Sequence, residues 1–370
     1  MAVTSPGIVA ASDIPSSIPN SMRAAVLVAP SEFRIMEKPV PEPGPGEVLV
    51  KIAMCGTCGT DLKIQVHPFP GQPPFGTFTP GHEWTGTVVA LGDAVDEFKV
   101  GDRVAIEAHS GCGRCENCVL GMYTACLNYG NVHKGHRTSG FTADGGFAEY
   151  AIHHAKALYK MPANVSWEDA VLVTTAGTGL YGIDATGGFI AGQSVVIIGP
   201  GPVGLMTVQL AKALGAAQVI LVGTRASRLE FGTRLGADAV VSSRDEDPVA
   251  AVRRLTDGLG ADLVIEASGA LDTPQQCVEM VKLGGKILFL AFYKEPVTFD
   301  LSRAIRSDVT LYTTRGEGGG NVGRALSLAA QGKIRGAELV THRFQLDDIM
   351  EGFRVVRERD GDPIKAVFIP

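Results

Sequence analysis

Ser194-Val195-Val196-Ile197-Ile198-Gly199-Pro200-Gly201-Pro202-Val203-Gly204-Leu205-Met206 is the stretch that decides the fold of this chain. An apolar run of strand length ends in G-x-G-x-x-G, and a helical, amphipathic run over residues 205–214 follows at once. Glycines at this spacing permit a tight turn and close backbone approach. The helix start offers N–H groups and the positive end of its dipole to a pyrophosphate. Gly199, Gly201, Pro202, Val203 and Gly204 are therefore expected to hold a dinucleotide; the alternative is a glycine-rich turn without a ligand.

Downstream, apolar runs at 218–223, 239–243, 263–268, 286–291 and 309–313 alternate with helical stretches. Together with 194–199 they predict a doubly wound parallel sheet of six strands, because right-handed βαβ crossovers put helices on both faces. Upstream, from residue 22 to about 108, short β segments such as 24–28, 47–52 and 86–91 are separated by Pro/Gly clusters including 39–46. That pattern reads as an all-β module. A helical stretch near 322–331 and short strands at 338–344 and 365–369 look like a return to this module. The expected class is thus α/β, with residues 23–167 and 315–370 forming the β domain and 168–314 the dinucleotide domain. Residues 1–22, rich in Ser, Pro and Ala and carrying Asp13, read as a flexible extension rather than a targeting segment.

A site specific for NAD carries Asp or Glu at the end of the second strand, where it binds the ribose 2′-hydroxyl. Here that place is Gly223, followed by Thr224, Arg225 and Arg228. No carboxylate stands there to repel a 2′-phosphate, and two guanidinium groups can hold one. NADP(H) is the expected cofactor; the alternative is that both arginines only begin a solvated helix face. Thr178 is counted with the cofactor-binding residues.

Cys112, Cys115, Cys118 and Cys126 lie in a Gly-rich segment with little apolar material to fold around. Four thiolates make a closed tetrahedral zinc site with no open position, hence a structural one. Farther upstream come Cys58-Gly59-Thr60-Asp61 and Gly81-His82-Glu83. One thiolate and one imidazole are two thirds of a catalytic zinc site. A small core cysteine and a buried histidine are the bland alternative.

At 370 residues the chain is long enough for two domains. A net charge of −6 provides no basic face for phosphate backbones, so nucleic acid is not an expected partner. No run of about 18 apolar residues marks a membrane span. Seven cysteines, four of them clustered, suit metal binding in a reducing cytoplasm better than a disulfide framework.

Taken in order, Cys-Gly-Thr-Asp, Gly-His-Glu, the four-cysteine lobe and the glycine-rich unit resemble the zinc-containing medium-chain dehydrogenases, especially the sorbitol, threonine and glucose dehydrogenase branch. The likeness runs from about Met22 to the C-terminus and includes Pro80-Gly81-His82-Glu83, Val100-Gly101-Asp102-Arg103-Val104 and Gly145-Gly146-Phe147-Ala148-Glu149-Tyr150. It implies a GroES-like β domain, a Rossmann domain and an active site in the cleft between them. It also implies one catalytic and one structural Zn2+, with Cys58 and His82 as zinc ligands and Cys55 only a neighbour in the same loop. Asp61 would hold the outer nitrogen of His82, Thr60 would start the proton relay, and Glu83 would be the acid next to the metal.

Two departures stand out. The position of the family's third ligand falls on Thr174, so that either Glu83 coordinates directly or the site is weaker or water-filled, and Lys63 occupies the place of a relay histidine. The implied reaction is hydride transfer between a secondary alcohol or ketone, a polyol or sugar alcohol first, and NADP(H), in a homodimer or homotetramer. The rivals are a zinc-free enone or quinone reductase on the same fold, against which the cysteines argue, and a NADPH-binding sensor without turnover.

Overall fold

The computed structural model of the protein describes residues 17–370. Most of the expected N-terminal extension, residues 1–16, lies outside the described residues, and Ser21 and Met22 already belong to the first strand. In chain order the first elements are β1 (Ser21–Ala29), β2 (Glu32–Pro39), β3 (Glu47–Gly56), α1 (Gly59–Ile64), β4 (Glu83–Leu91), β5 (Arg103–Ile106) and β6 (His109–Ser110). There follow α2 (Glu116–Val119), β7 (Arg137–Thr138), β8 (Tyr150–His154), β9 (Leu158–Lys160), α3 (Trp167–Val171) and α4 (Val173–Ala185). The alternating part comprises β10 (Ser194–Ile198), α5 (Pro202–Ala213), β11 (Gln218–Gly223), α6 (Ala226–Arg234), β12 (Ala239–Ser242) and α7 (Pro248–Leu255). It continues through β13 (Ala261–Glu266), α8 (Thr273–Met280), β14 (Val281–Phe289), α9 (Leu301–Arg306) and β15 (Thr310–Thr313). The chain closes with α10 (Asn321–Ala330), β16 (Val340–Gln345), α11 (Ile349–Glu358) and β17 (Lys365–Ile369).

Two compact units result. One runs up to Thr174 and takes in Gly318–Ala330 and Arg335–Pro370; the other comprises Thr175–Glu317 and Gln331–Ile334. The sequence places the first boundary earlier, at 167/168, but α3 packs on β3 and β4 and so stays with the first unit.

The first unit is built on a seven-stranded sheet in the order β16-β17-β3-β4-β5-β9, with β8 added to β3. Its core gathers Val48, Val50, Ile52, Trp84, Val88, Phe147, Phe353 and Phe368. The strands at 340–345 and 365–369 thus return to the first domain, as the sequence suggests. Between them stands α11, which the sequence reading does not anticipate; it carries Ile349, Phe353 and Val355 into the interior.

The second unit is a sheet of six parallel strands, ordered β12-β11-β10-β13-β14-β15, with helices between them. This is the expected GroES-like plus Rossmann α/β architecture. In β10, Val195 to Ile198 are all buried, which is the pattern of a parallel strand covered on both faces. One expectation is corrected. The run after the glycine loop is not amphipathic, because α5 is buried at every position from Gly204 to Ala211. It lies between the sheet and α4, where a Cβ on Gly179 would sit 2.8 Å from Thr207 Oγ1.

Candidate active site and metal centres

Cys58 caps the start of α1, and its backbone N–H donates to Asp61 Oδ2 at 2.8 Å. Asp61 is fully buried, and its other oxygen lies 3.3 Å from His82 Nδ1. One carboxylate therefore fixes both the loop that bears the thiol and the imidazole facing it. His82 in turn is set by Gly81, whose φ of +99° suits only glycine and whose Cβ would stand 2.8 Å from both Cys55 Sγ and Phe147 N. Gly146 N–H donates to the Gly81 carbonyl at 2.8 Å and Phe147 N–H to that of Pro80 at 3.1 Å. Two segments that the sequence singles out separately thus support each other. Cys55 is not in the Cys58 loop but at the end of β3, completely buried, where desolvation pushes its thiol well up.

Ligand atoms of Cys58, His82 and Glu83 all lie within 4.8 Å of one another. Burial alone would push the His82 imidazole down, but the Asp61 carboxylate and the Cys58 sulfur outweigh it and hold His82 well above its usual value. The pocket favours a cation, and thiol, imidazole and carboxylate are the donor set zinc takes. Glu83 is also ion-paired with Lys365, a lysine only 2% exposed that donates to the Thr57 carbonyl at 2.9 Å. Burial would push the Lys365 ammonium down; Glu83 first, and then Cys58, more than offset it. Sequence reasoning missed Lys365, since no local pattern joins residues 282 positions apart. Thr60 Oγ1 stands 3.6 Å from Cys58 Sγ.

The four lobe cysteines form a second cluster within the same 4.8 Å limit. Sγ of Cys112 and Cys118 are 3.9 Å apart, and those of Cys115 and Cys126 3.8 Å. Tetrahedral zinc with Zn–S bonds of about 2.3 Å requires S–S edges of about 3.8 Å, so the cluster fits that ion. Asn128 donates its side-chain amide to Cys112 at 3.2 Å and its backbone N–H to Cys126 at 3.4 Å. Burial opposes ionisation of Cys112, but the Arg114 N–H and the Asn128 amide outweigh it and hold the thiol at about 5. Burial pushes Cys118 up to about 12.

At the dinucleotide loop, Gly199 has φ +106°, and a Cβ on Gly204 would lie 1.9 Å from the Gly199 carbonyl, so only glycine closes this turn. Gly201 is the N-cap of α5, with Pro202 next and Val203 in the first turn. Gly223 ends β11, and its Cβ would meet Pro200 Cδ at 2.5 Å. Thr224 is exposed and Arg225 caps α6. Arg228 is 6% exposed and reaches the Pro200 carbonyl at 3.4 Å, so it braces the loop from below.

The chain matches the alcohol dehydrogenase GroES-like domain over residues 44–163 and the zinc-binding dehydrogenase family over residues 202–331. A sorbitol dehydrogenase of Halalkalibacterium halodurans is 31% identical over 341 residues, covering 91% of this chain and 96% of the relative. The chain belongs to the zinc-containing medium-chain dehydrogenases. An L-threonine 3-dehydrogenase of Pyrococcus horikoshii is 35% identical over 345 residues, covering 90% of this chain and 94% of the relative. Among solved structures, a Sinorhizobium meliloti protein described as a zinc-binding dehydrogenase bound to NADP superposes with a TM-score of 0.85 at 30% identity, over 95% of this chain and all of that one.

Thr174, where the sequence reading expects a departure from the family, is the second residue of α4, 3% exposed, and donates its hydroxyl to the Ile106 carbonyl at 2.9 Å. Lys63 lies half-buried in α1 and Thr178 half-buried in α4. No helix among the described residues is long and apolar enough to cross a membrane.

Proposed function

We propose that this medium-chain dehydrogenase interconverts a secondary alcohol and its ketone with NADP(H), a polyol or sugar alcohol being the first substrate class. One zinc would be held by Cys58, His82 and Glu83 and a second by Cys112, Cys115, Cys118 and Cys126. The observation that carries the reading is the convergence of the Cys58, His82 and Glu83 ligand atoms within 4.8 Å. When bound there, zinc supplies Lewis acidity that acidifies an alcohol or polarises a ketone, and the nicotinamide exchanges the hydride.

This chain's residues have separable roles. Asp61, at His82 Nδ1, leaves Nε2 as the nitrogen for the metal and fixes the ring. The Thr60 hydroxyl, beside the Cys58 sulfur, takes up the alcohol proton and passes it outward. Lys365 holds Glu83 and moderates its charge. The enzyme would work in the cytoplasm as a homodimer or homotetramer; its unpaired cysteines agree with a reducing setting.

The test is zinc content per chain, measured with oxidation of polyols, simple secondary alcohols and amino alcohols such as L-threonine, each with NADP and with NAD. Turnover without zinc would favour the reductase reading. Full zinc with no turnover on any alcohol would favour a sensor.

The absence of a carboxylate at Gly223 and the placing of Arg225 at the α6 N-cap support NADP(H) over NAD(H). Arg225→Asp should weaken NADPH binding by roughly tenfold to hundredfold, the worth of one charge-assisted contact, while NADH affinity stays or rises. Titrating both cofactors against both proteins checks this, and equal affinities in the unmodified protein contradict it.

Glu83→Gln removes an anionic ligand and leaves Lys365 without its carboxylate. Zinc at this site should then be lost to a chelator about 10–100-fold more readily than in the unmodified protein, with zinc at the cysteine lobe unaffected. Thr174→Glu, which adds a carboxylate at the start of α4, should tighten the metal. Unchanged chelator resistance of both metals in Glu83→Gln would leave Glu83 as no more than the partner of Lys365.

A further inference from the structure

Glu266, the last residue of β13, is fully buried, and its carboxylate gathers donors from two loops. Oε1 accepts from the Ser268 N–H at 2.8 Å, the Gly269 N–H at 3.1 Å and the Ser268 hydroxyl. The Thr273 hydroxyl lies 3.1 Å from the same oxygen and shares its proton with the Ala270 carbonyl at 2.7 Å. Oε2 accepts from the Tyr293 hydroxyl at 2.8 Å, on the loop that follows β14. The two loops touch, since a Cβ on Gly269 would be 3.0 Å from the Phe292 carbonyl. The first also presses on the dinucleotide turn, because a Cβ on Gly199 would strike Ser268 at 2.8 Å. A carboxylate with no exposure costs free energy to bury, and an apolar residue would end β13 more cheaply. What Glu266 adds is the shape of these loops.

Their place in the sheet says what that shape is for. The strand order β12-β11-β10-β13-β14-β15 changes direction between β10 and β13, and a dinucleotide lies outside the carboxyl ends of the strands at such a switch point. Its pyrophosphate sits at the turn after β10 and its adenosine ribose at the end of β11. The other half must run over the ends of β13 and β14, onto the two loops that Glu266 joins.

We propose that Glu266 is a positioning residue that holds the 267–273 and 290–293 loops as the seat of the nicotinamide half. This rests on the dinucleotide reading above and adds a determinant outside the glycine fingerprint. Glu266→Gln exchanges one accepting oxygen for a donating amide, which cannot take the proton of Tyr293 or of Ser268. Tyr293→Phe removes only the phenol's contact to Oε2, where the Gly269 N–H at 3.3 Å remains, and leaves the strand end intact, so it decides the matter should Glu266→Gln not fold.

The probes are NADPH and adenosine 2′,5′-bisphosphate, which carries the adenine half alone. In both variants the fragment should bind as in the unmodified protein. NADPH affinity should fall on the order of tenfold, and the emission shift of the bound reduced nicotinamide should shrink. Equal losses for fragment and NADPH, or no loss for either, overturn the proposal. If the unmodified protein binds the bisphosphate no better than 5′-AMP, it is the NADP preference that fails. The same comparison made with 5′-AMP and NADH then decides the role of Glu266.

Discussion

Cys58→Ser should leave a folded chain that binds NADPH and oxidises no alcohol. The fold is insensitive because Cys58 is only partly buried and its part in starting α1 is played by its backbone N–H, held by Asp61 Oδ2. Serine keeps that bond and is itself a good residue at a helix start. The chemistry is sensitive because the thiolate is the strongest zinc donor of the set. Removing groups that merely orient metal ligands costs 10–100-fold, so losing a ligand should lower kcat/KM by more than about 100-fold. Turnover measured beside thermal unfolding and NADPH titration checks this; a folded and fully active variant contradicts the assignment.

Cys115→Ser should act in the opposite way, on stability rather than on chemistry. The lobe has little core of its own: Val119 is 72% exposed, Leu120 65% and Leu127 65%. Its shape depends on the four sulfurs, helped by the Asn128 contacts and by Lys156, which donates to the Gly111 carbonyl at 2.6 Å. Loss of a structural metal belongs with the most destabilising changes, about 4 kcal/mol or more. In a domain of this size that lowers Tm by roughly 8–16 °C. Calorimetry of the variant, and of the unmodified protein after chelation of both metals, should show the same drop. An unchanged Tm in both would mean that the lobe stands without zinc.

These two outcomes separate what the residues of the sequence made legible from what they did not. The six parallel strands are legible because each is an apolar run bounded by turn residues, and the central ones, as in Val195 to Ile198, are buried on both faces. The metal clusters were readable because cysteines at short spacing serve few other ends. By contrast, α5 reads as amphipathic in the sequence, because its burial on all sides depends on α4, which no local pattern reveals. The same holds for Lys365, which meets Glu83 only after β17 pairs with β3. Arg228 is visible in the sequence as a charge but not as a brace of the glycine loop, and Glu266 reads there only as the polar end of a strand. Contacts within a motif are written in its spacing, whereas contacts between distant strands are set by the sheet that joins them.

The most direct test of the account is a graded removal of zinc from the unmodified enzyme by a chelator, following metal content and NADP-dependent oxidation of a secondary alcohol in the same samples. The account predicts that activity disappears as the first, more labile zinc leaves, while the second stays with the folded chain. Activity that persists until both are gone, or that is indifferent to zinc, would contradict a catalytic metal at Cys58, His82 and Glu83.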